Sequence, residues 1–215
     1  MDSIKKYLSL VEGQPTLFEQ NDKLKLVLDI KVLNEYSQTH GTQLGIVYEA
    51  QNFLFCVDLV VNEQNVIFPY PRLLSKNATN GVVIIPRVND RYILLKQFRH
   101  ATRNLELEFP RGNSEIGILP SDNAKKELYE EIGAVATQVE YLGAITVDSA
   151  VRNSTVDLFF TEIDKMGHLQ SEEGIVGVEL LSASELISYI NKGIIRDCFS
   201  ICAWYKYLLH SKEAY

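Results

Sequence analysis

Cysteine is scarce: Cys56, Cys198 and Cys202 are the three in 215 residues. Their number is odd and no Cys-x-x-Cys spacing occurs, so neither a disulfide framework nor a thiolate zinc site is expected. Cys198 and Cys202 stand four apart in a helical pattern, with no His or further Cys at ligand spacing. The expectation is buried, reduced thiols in a cytoplasmic protein. No run approaches the roughly 18 consecutive apolar residues of a membrane-spanning helix. The opening MDSIKKYLSLVEGQ lacks the apolar stretch and cleavage pattern of a secretory leader. Positive charge is in deficit, 21 Lys and Arg against 28 Asp and Glu, net −7. That argues against general binding of nucleic acid or an anionic membrane, and leaves room for a local basic pocket for a phosphorylated small molecule. Repeats, low-complexity tracts, a P-loop, a Gly-x-Gly-x-x-Gly turn and a Ser/His/Asp set are all missing, so none of those chemistries competes.

What is present supports a full core, with 46% hydrophobic residues. Residues 3–12 read as a short helix. Residues 22–39 read as a second, with Asp22 as its cap and Gly41 as its stop, although LKLVLDIKVL also alternates like a strand. GIVYEA and FLFCVDLVV flank Gln51-Asn52 as a hairpin, and residues 65–74 form a further strand. These make an N-terminal subdomain over residues 1–75, a helix plus a β-hairpin whose exposed strands would need covering, as in a dimer. From about Asn80 the runs GVVIIPRV and YILLKQF meet at the turn pair Asn89-Asp90. LELEF follows as a strand, and Pro110 and Gly112 break it. A helix over 122–132 is capped by Ser121 or Asp122, carries the apolar stripe Ala124, Leu128 and Ile132, and ends at Gly133. VEYLGAITV, TVDLFFTEI and GVELLSA are strands, SASELISYIN begins a helix, and IIRDCFSICAWYKYLL is the last helix. Residues 76–215 therefore form a mixed α+β domain in layers.

The chemistry concentrates in that helix. Glu127, Glu130 and Glu131 lie at i, i+3 and i+4, so their carboxylates share one face. Like charges at that spacing repel, and the face is either solvated or holds a cation. Glu127 and Glu131 flank the inward stripe, where an unpaired carboxylate is costly. Hard divalent cations take oxygen ligands, and the Arg111 carbonyl is available as a further oxygen beside Gly112, where the backbone passes close to a metal or phosphate.

The segment resembles the Nudix box, a pattern of Gly, five residues, Glu, seven residues, then Arg-Glu-aliphatic-x-Glu-Glu-x-Gly-aliphatic. Gly112, Glu127, Leu128, Glu130, Glu131, Gly133 and Ala134 fall on it in register. Ile118 stands where the first Glu belongs, and Lys126 where the Arg belongs. Glu115 is the acid within the loop that stands nearest to the missing one. Gln97-Phe98-Arg99 and Glu108-Phe109-Pro110-Arg111-Gly112 are similar to elements of ADP-ribose pyrophosphatase-like Nudix hydrolases, as is NKGIIRDCFSICAW. The likeness covers about residues 80–205.

The resemblance implies a Nudix α/β/α sandwich with an N-terminal β-containing extension, a small-molecule nucleotide as substrate, no nucleic-acid or membrane partner, and a homodimer. It implies Mg²⁺, with Mn²⁺ as the alternative, on Glu127 and Glu131, with Glu130 as a direct or water-mediated ligand and the Arg111 carbonyl completing the shell. Glu127, Glu130, Glu131 and the later-loop pair Glu172 and Glu173 are its catalytic candidates. Arg99, Glu108, Arg111, Gly112 and Lys126 are its substrate-binding candidates. For Glu108 the open alternative is a solvent-facing position in LELEF, and for Glu172 and Glu173 an exposed acidic turn. Asp148, Ser149 and Arg152 fall where such proteins select substrate, yet VDSAVRNS lacks the proline common among ADP-ribose-specific members. Trp204 and Tyr205 read as core or dimer contacts. Two other functions stand beside hydrolysis: a non-catalytic nucleotide-sugar sensor, and a scaffold whose N-terminal part dominates.

Overall fold

The computed structural model describes residues 2–76, 80–169 and 174–211. The chain divides into two compact units, residues 1–78 with 148–154, and residues 79–147 with 155–215.

In the first unit α1 (Ser3–Gly13) starts on Asp2, whose carboxylate accepts the Ile4 N–H. The reading of residues 22–39 as one helix is corrected. The alternating half folds as β1 (Leu24–Leu26), antiparallel to Val60–Asn62. Only α2 (Ile30–His40) is helical, capped by Asp29, which accepts the Lys31 and Val32 N–H groups. Gly41 ends it with φ 62°. The hairpin of β2 (Gly45–Glu49) and β3 (Phe53–Asn62) forms as expected, and β4 (Ile67–Ser75) pairs along β3. A strand has two edges, so β4 takes one edge of β3 and β1 and β2 share the other.

Tyr7, Phe18, Leu54, Cys56 and Leu74 pack one part of this core, and Ile4, Leu33, Leu44 and Leu59 the other. Inside it lies a buried charge. The Asp58 carboxylate accepts from the Tyr7 hydroxyl at 2.7 Å and from Arg72 Nη2 at 3.0 Å. Arg72 also donates to the Leu17 carbonyl at 2.9 Å and lies over the Phe18 ring. A buried carboxylate is tolerable when it is paired and hydrogen-bonded on this scale. Residues 148–154 complete the unit: the Leu73 N–H donates to the Val151 carbonyl at 2.8 Å, and the Ser75 N–H to Asn153 Oδ1 at 3.2 Å.

The second unit is built on a seven-stranded mixed sheet. β5 (Gly81–Val88) and β6 (Arg91–Arg99) are joined by Asn89 and Asp90, both at positive φ, the geometry a tight hairpin turn needs. Past that turn they separate. β7 (Asn104–Glu108) pairs with β6, and β8 (Arg111–Asn113) pairs with β5, so the chain switches partners across Phe109-Pro110. A strand of three residues such as β8 gives little periodic signal and takes its register from Gly81–Val83. α3 (Pro120–Ile132), β9 (Glu140–Thr146), β10 (Thr155–Glu162), β11 (Ile175–Leu181), α4 (Ala183–Asn191) and α5 (Cys198–Ser211) follow.

Alternation in β5 sorts the layers. Val82 and Ile84 join Ala124, Leu128 and Ile132 of α3, and Val83 and Ile85 join Leu186 of α4 and Ala203, Trp204 and Tyr207 of α5. β5 and β10 run parallel and are buried on both faces, hence the apolar runs Gly81–Pro86 and Leu158–Phe160. The result is an α/β/α sandwich. Three expectations change in detail. α3 starts at Pro120, not on Ser121 or Asp122, because proline suits the first helical position. α5 starts at Cys198, four residues later than the apolar run. Of the cysteines only Cys56 is buried, Cys198 being exposed. Trp204 is core, while Tyr205 is exposed. No helix among the described residues is long and apolar enough to cross a membrane.

Candidate active site

α3 and the β7–β8 bend supply the site. The stripe Ala124, Leu128 and Ile132 is fully buried and fixes the rotation of α3, and Gly133 at φ 62° closes the helix with an N–H to the Tyr129 carbonyl. That rotation turns Glu131 inward, 5% exposed, and carries Glu127 against β8. The Arg111 N–H donates to Glu131 Oε2 at 3.1 Å. At the next residue, a Cβ on Gly112 would collide with the Glu127 carboxylate, whose Cδ, Oε1 and Oε2 are its three nearest atoms. The glycine is there for room: the carboxylate occupies the volume of the absent side chain.

Glu108 is fully buried, and the alternative of a solvent-facing position is corrected. Its carboxylate pairs with Arg99 and with Arg111 Nη2, the latter at 3.1 Å. The partner switch causes the burial, because Glu108 is the last β7 residue on β6 before the chain crosses to β5. Arg111 links the two groups. Its main chain meets Glu131 and its guanidinium meets Glu108. Neighbouring residues of a strand alternate between edges, and the N–H and C=O of one residue share an edge. The Arg111 carbonyl therefore points to the side where Glu131 accepts its N–H.

Glu130 and Lys126 stand on the outer side of α3. Lys126 Nζ lies 2.7 Å from Glu130 and 3.0 Å from Glu115, and those two carboxylates hold its ammonium well above the usual lysine range. Glu115 thus meets the box cation although Ile118 occupies the expected position. Glu172 and Glu173 lie outside the described residues. Asp148–Ser154 belongs to the first unit, where Arg152 lies over the Phe53 ring.

Among the described residues no three Asp, Glu, His or Cys side chains converge as a ready-made metal cage. What converges at β8 is the Glu127 carboxylate, the Glu131 carboxylate and the side of the strand that carries the Arg111 carbonyl. All are hard oxygen donors. Mg²⁺ and Mn²⁺ accept carboxylate and carbonyl oxygens, and Mg²⁺ keeps several waters, so a partial cage of this kind fits.

Sequence reasoning missed four residues here. Arg196 Nη2 and Nε donate to Glu106 at 2.8 and 3.0 Å, holding the Glu106 carboxyl below the usual range. Ser200 Oγ accepts the Phe109 N–H at 2.8 Å, and Asp197 accepts from both the Ser200 N–H and hydroxyl. Asp-x-x-Ser ahead of a helix is a capping signal. It was hidden because Asp197 sits inside an apolar run that reads as helix from Ile194.

This arrangement of a glutamate-bearing helix against a Gly-containing strand end, within an α/β/α sandwich, agrees with the match of the NUDIX domain to residues 78–198. That is more than half of the 215 residues, and the chain belongs to the NUDIX family. Among its relatives is the ADP compounds hydrolase NudE of Escherichia coli (strain K12), 29% identical over 119 residues, 54% of this chain and 63% of the relative. The chain thus spans less than two thirds of that protein's length in the alignment. A solved structure described as the crystal structure of ADP compounds hydrolase superposes with a TM-score of 0.70 at 18% identity, covering 79% of this chain and 91% of the other. At that identity the likeness is one of fold.

Proposed function

We propose that the protein hydrolyses the pyrophosphate bond of a nucleoside diphosphate linked to another group, in a reaction that depends on Mg²⁺ or Mn²⁺. The observation that carries the reading is the seating of the Glu127 carboxylate in the space left by Gly112, beside Glu131 on the Arg111 N–H. The named activity of the Escherichia coli relative, an ADP compounds hydrolase, supports an ADP-containing substrate, with ADP-ribose first among them.

Glu127, Glu131 and the Arg111 carbonyl are the donors that hold the cation in this reading, with Glu130 next to them on α3. A divalent cation held there would offset charge on the pyrophosphate and help to activate the attacking water. Arg99 presents its guanidinium from the rim of the buried Glu108, and a planar fork of that kind matches phosphate oxygens. Glu108 holds the Arg99 and Arg111 guanidinium groups in place by pairing with both. Lys126 holds Glu130 and the Glu115 loop to the outer face of α3. The attacking oxygen forms a bond to phosphorus, the bridging P–O bond breaks, and the proton released by the nucleophile passes to a carboxylate. Glu127, Glu130, Glu131, Glu172 and Glu173 are the candidates for that base. From ADP-ribose the products are AMP and ribose 5-phosphate. A homodimer and a cytoplasmic location are part of the same proposal, and the net charge of −7 supports the absence of a nucleic-acid partner.

The test is a panel of nucleoside diphosphate derivatives with Mg²⁺ and with Mn²⁺, run beside single Glu→Gln changes at the five glutamates. Turnover that is lost in Glu127→Gln and Glu131→Gln while the fold is kept supports the reading. A well-folded protein that binds these compounds and turns over none of them is a sensor, and the proposal is then wrong.

A further inference from the structure

The bend that carries Glu108 to Gly112 is gripped from behind by the first turn of α5. Where the chain leaves β6 for β5, the Phe109 N–H lies between the two ladders, past Glu108 on Leu95 and before Arg111 on Val83. A buried N–H needs an acceptor. Ser200 supplies it: its Oγ, on a residue 1% exposed, accepts the Phe109 N–H at 2.8 Å. The Ser200 hydroxyl then donates to Asp197 Oδ2 at 2.8 Å, and the Ser200 N–H donates to the same oxygen at 2.9 Å. Both donors use Oδ2, which leaves Oδ1 turned to Arg111 Nη2 at 3.6 Å.

The Arg111 guanidinium is covered on three sides, by Glu108 at 3.1 Å, by Asp197, and by the Phe199 ring with its centroid 4.6 Å away. These neighbours hold it in place, with 24% of the side chain exposed. Its main chain, by contrast, is in use at Glu131. Arg99, among the described residues, pairs with Glu108, and its side chain is 29% exposed.

We propose that Asp197 and Ser200 are positioning residues, which lock the Phe109–Arg111 bend so that the Arg111 main chain stays against Glu131, and that the Arg111 side chain is an anchor for this lock. The inference rests on the hydrolase reading for its kinetic consequence, and on geometry alone for its effect on cation binding. Partners one step removed from a metal ligand typically change metal affinity or activity 10–100-fold when removed.

The experiment uses the full chain and compares Ser200→Ala, Ser200→Thr, Asp197→Asn and Arg99→Lys. Mn²⁺ affinity is measured by electron paramagnetic resonance without substrate, ADP-ribose turnover with Mg²⁺ by product release, and folding by thermal midpoint. Ser200→Ala and Asp197→Asn are expected to weaken Mn²⁺ binding and lower kcat by about tenfold or more. KM for ADP-ribose stays within about twofold, because interactions with the bound substrate are not removed. Ser200→Thr keeps the hydroxyl and regains most of the Mn²⁺ affinity. Arg99→Lys raises KM and leaves Mn²⁺ affinity as it was. Unchanged Mn²⁺ affinity in folded Ser200→Ala and Asp197→Asn overturns the inference. So does a fall in thermal midpoint alone, or, where Ser200→Ala does not fold, an Asp197→Asn protein with wild-type Mn²⁺ binding. A wild-type protein that turns over no nucleoside diphosphate derivative, yet binds Mn²⁺ tenfold better than the two variants, sinks the hydrolase reading and leaves the lock standing.

Discussion

Gly112→Ala separates the seat of a carboxylate from the stability of the fold. Gly112 is not among the glycines at positive φ, so its backbone accepts alanine without strain. The atoms nearest to the new methyl are those of the Glu127 carboxylate, with Cδ, Oε1 and Oε2 all closer than real Cβ contacts come. The carboxylate must then withdraw by on the order of 1 Å to reach ordinary van der Waals separation. It sits at the end of a flexible side chain, and an off-rotamer turn costs about 0.5–1.5 kcal/mol. Reduced freedom of the unfolded chain returns about 0.4–1 kcal/mol. The two nearly cancel, so the thermal midpoint should shift by less than about 4 °C for a chain of this size. Catalysis responds otherwise, since a misplacement of about 1 Å is worth roughly 10²-fold in rate. The assay is ADP-ribose hydrolysis with saturating Mg²⁺ beside a thermal melt, with Gly13→Ala, whose Cβ meets nothing within 4 Å, as the control. Full turnover in Gly112→Ala refutes the functional seat of Glu127. A midpoint lowered by about 10 °C or more refutes the argument that only a side chain is displaced.

The N-terminal unit carries two further predictions. Asp58→Asn removes the charge that faces Arg72 and keeps its shape; breaking a buried pair in this way costs about 3–5 kcal/mol, read by urea denaturation, and a loss below about 1 kcal/mol shows that the pair is not needed. Burial, with Asp58 next to them, raises the pKa of the Cys56 thiol and the Tyr7 phenol. A group with a raised folded pKa contributes stability that is complete below its unfolded pKa and is lost as pH rises. The loss should therefore begin near pH 8.5, where an unfolded thiol ionises, at about 1.4 kcal/mol per pH unit. Cys56→Ala should remove most of that loss below about pH 10, where the unfolded phenol ionises, leaving a smaller share from the Cys198 thiol, which burial also raises. An unchanged slope in Cys56→Ala excludes the Cys56 thiol as its main cause.

How far the sequence was legible follows from where each element finds its partners. α3 was readable because stripe, carboxylates and terminal glycine all lie within it. The β5–β6 hairpin was readable because Asn89-Asp90 states its own turn. β1 was not, since three residues of alternation take their register from Val60–Asn62, and the helical half beyond Asp29 masked them. Glu108 was half legible: its place in the motif was plain, but alternation alone assigns a carboxylate to water. Its burial is tolerated because Arg99 and Arg111 pair with it, which a local pattern does not weigh. Asp197 and Ser200 were invisible, because their role is defined by a bend about ninety residues away in the chain.

The seven residues from Asp148 to Ser154 give the molecule a discontinuous order of assembly. As the chain is synthesised, residues 1–76 emerge with β4 complete in sequence. The Leu73 and Ser75 N–H groups on that strand still lack the Val151 carbonyl and the Asn153 side chain that receive them. Those acceptors arrive only after β5 to β9 and α3 have been made. The first unit is therefore not complete in sequence until Ser154 has been made, and a truncation placed at the apparent boundary after β4 yields a fragment with an open edge rather than a domain.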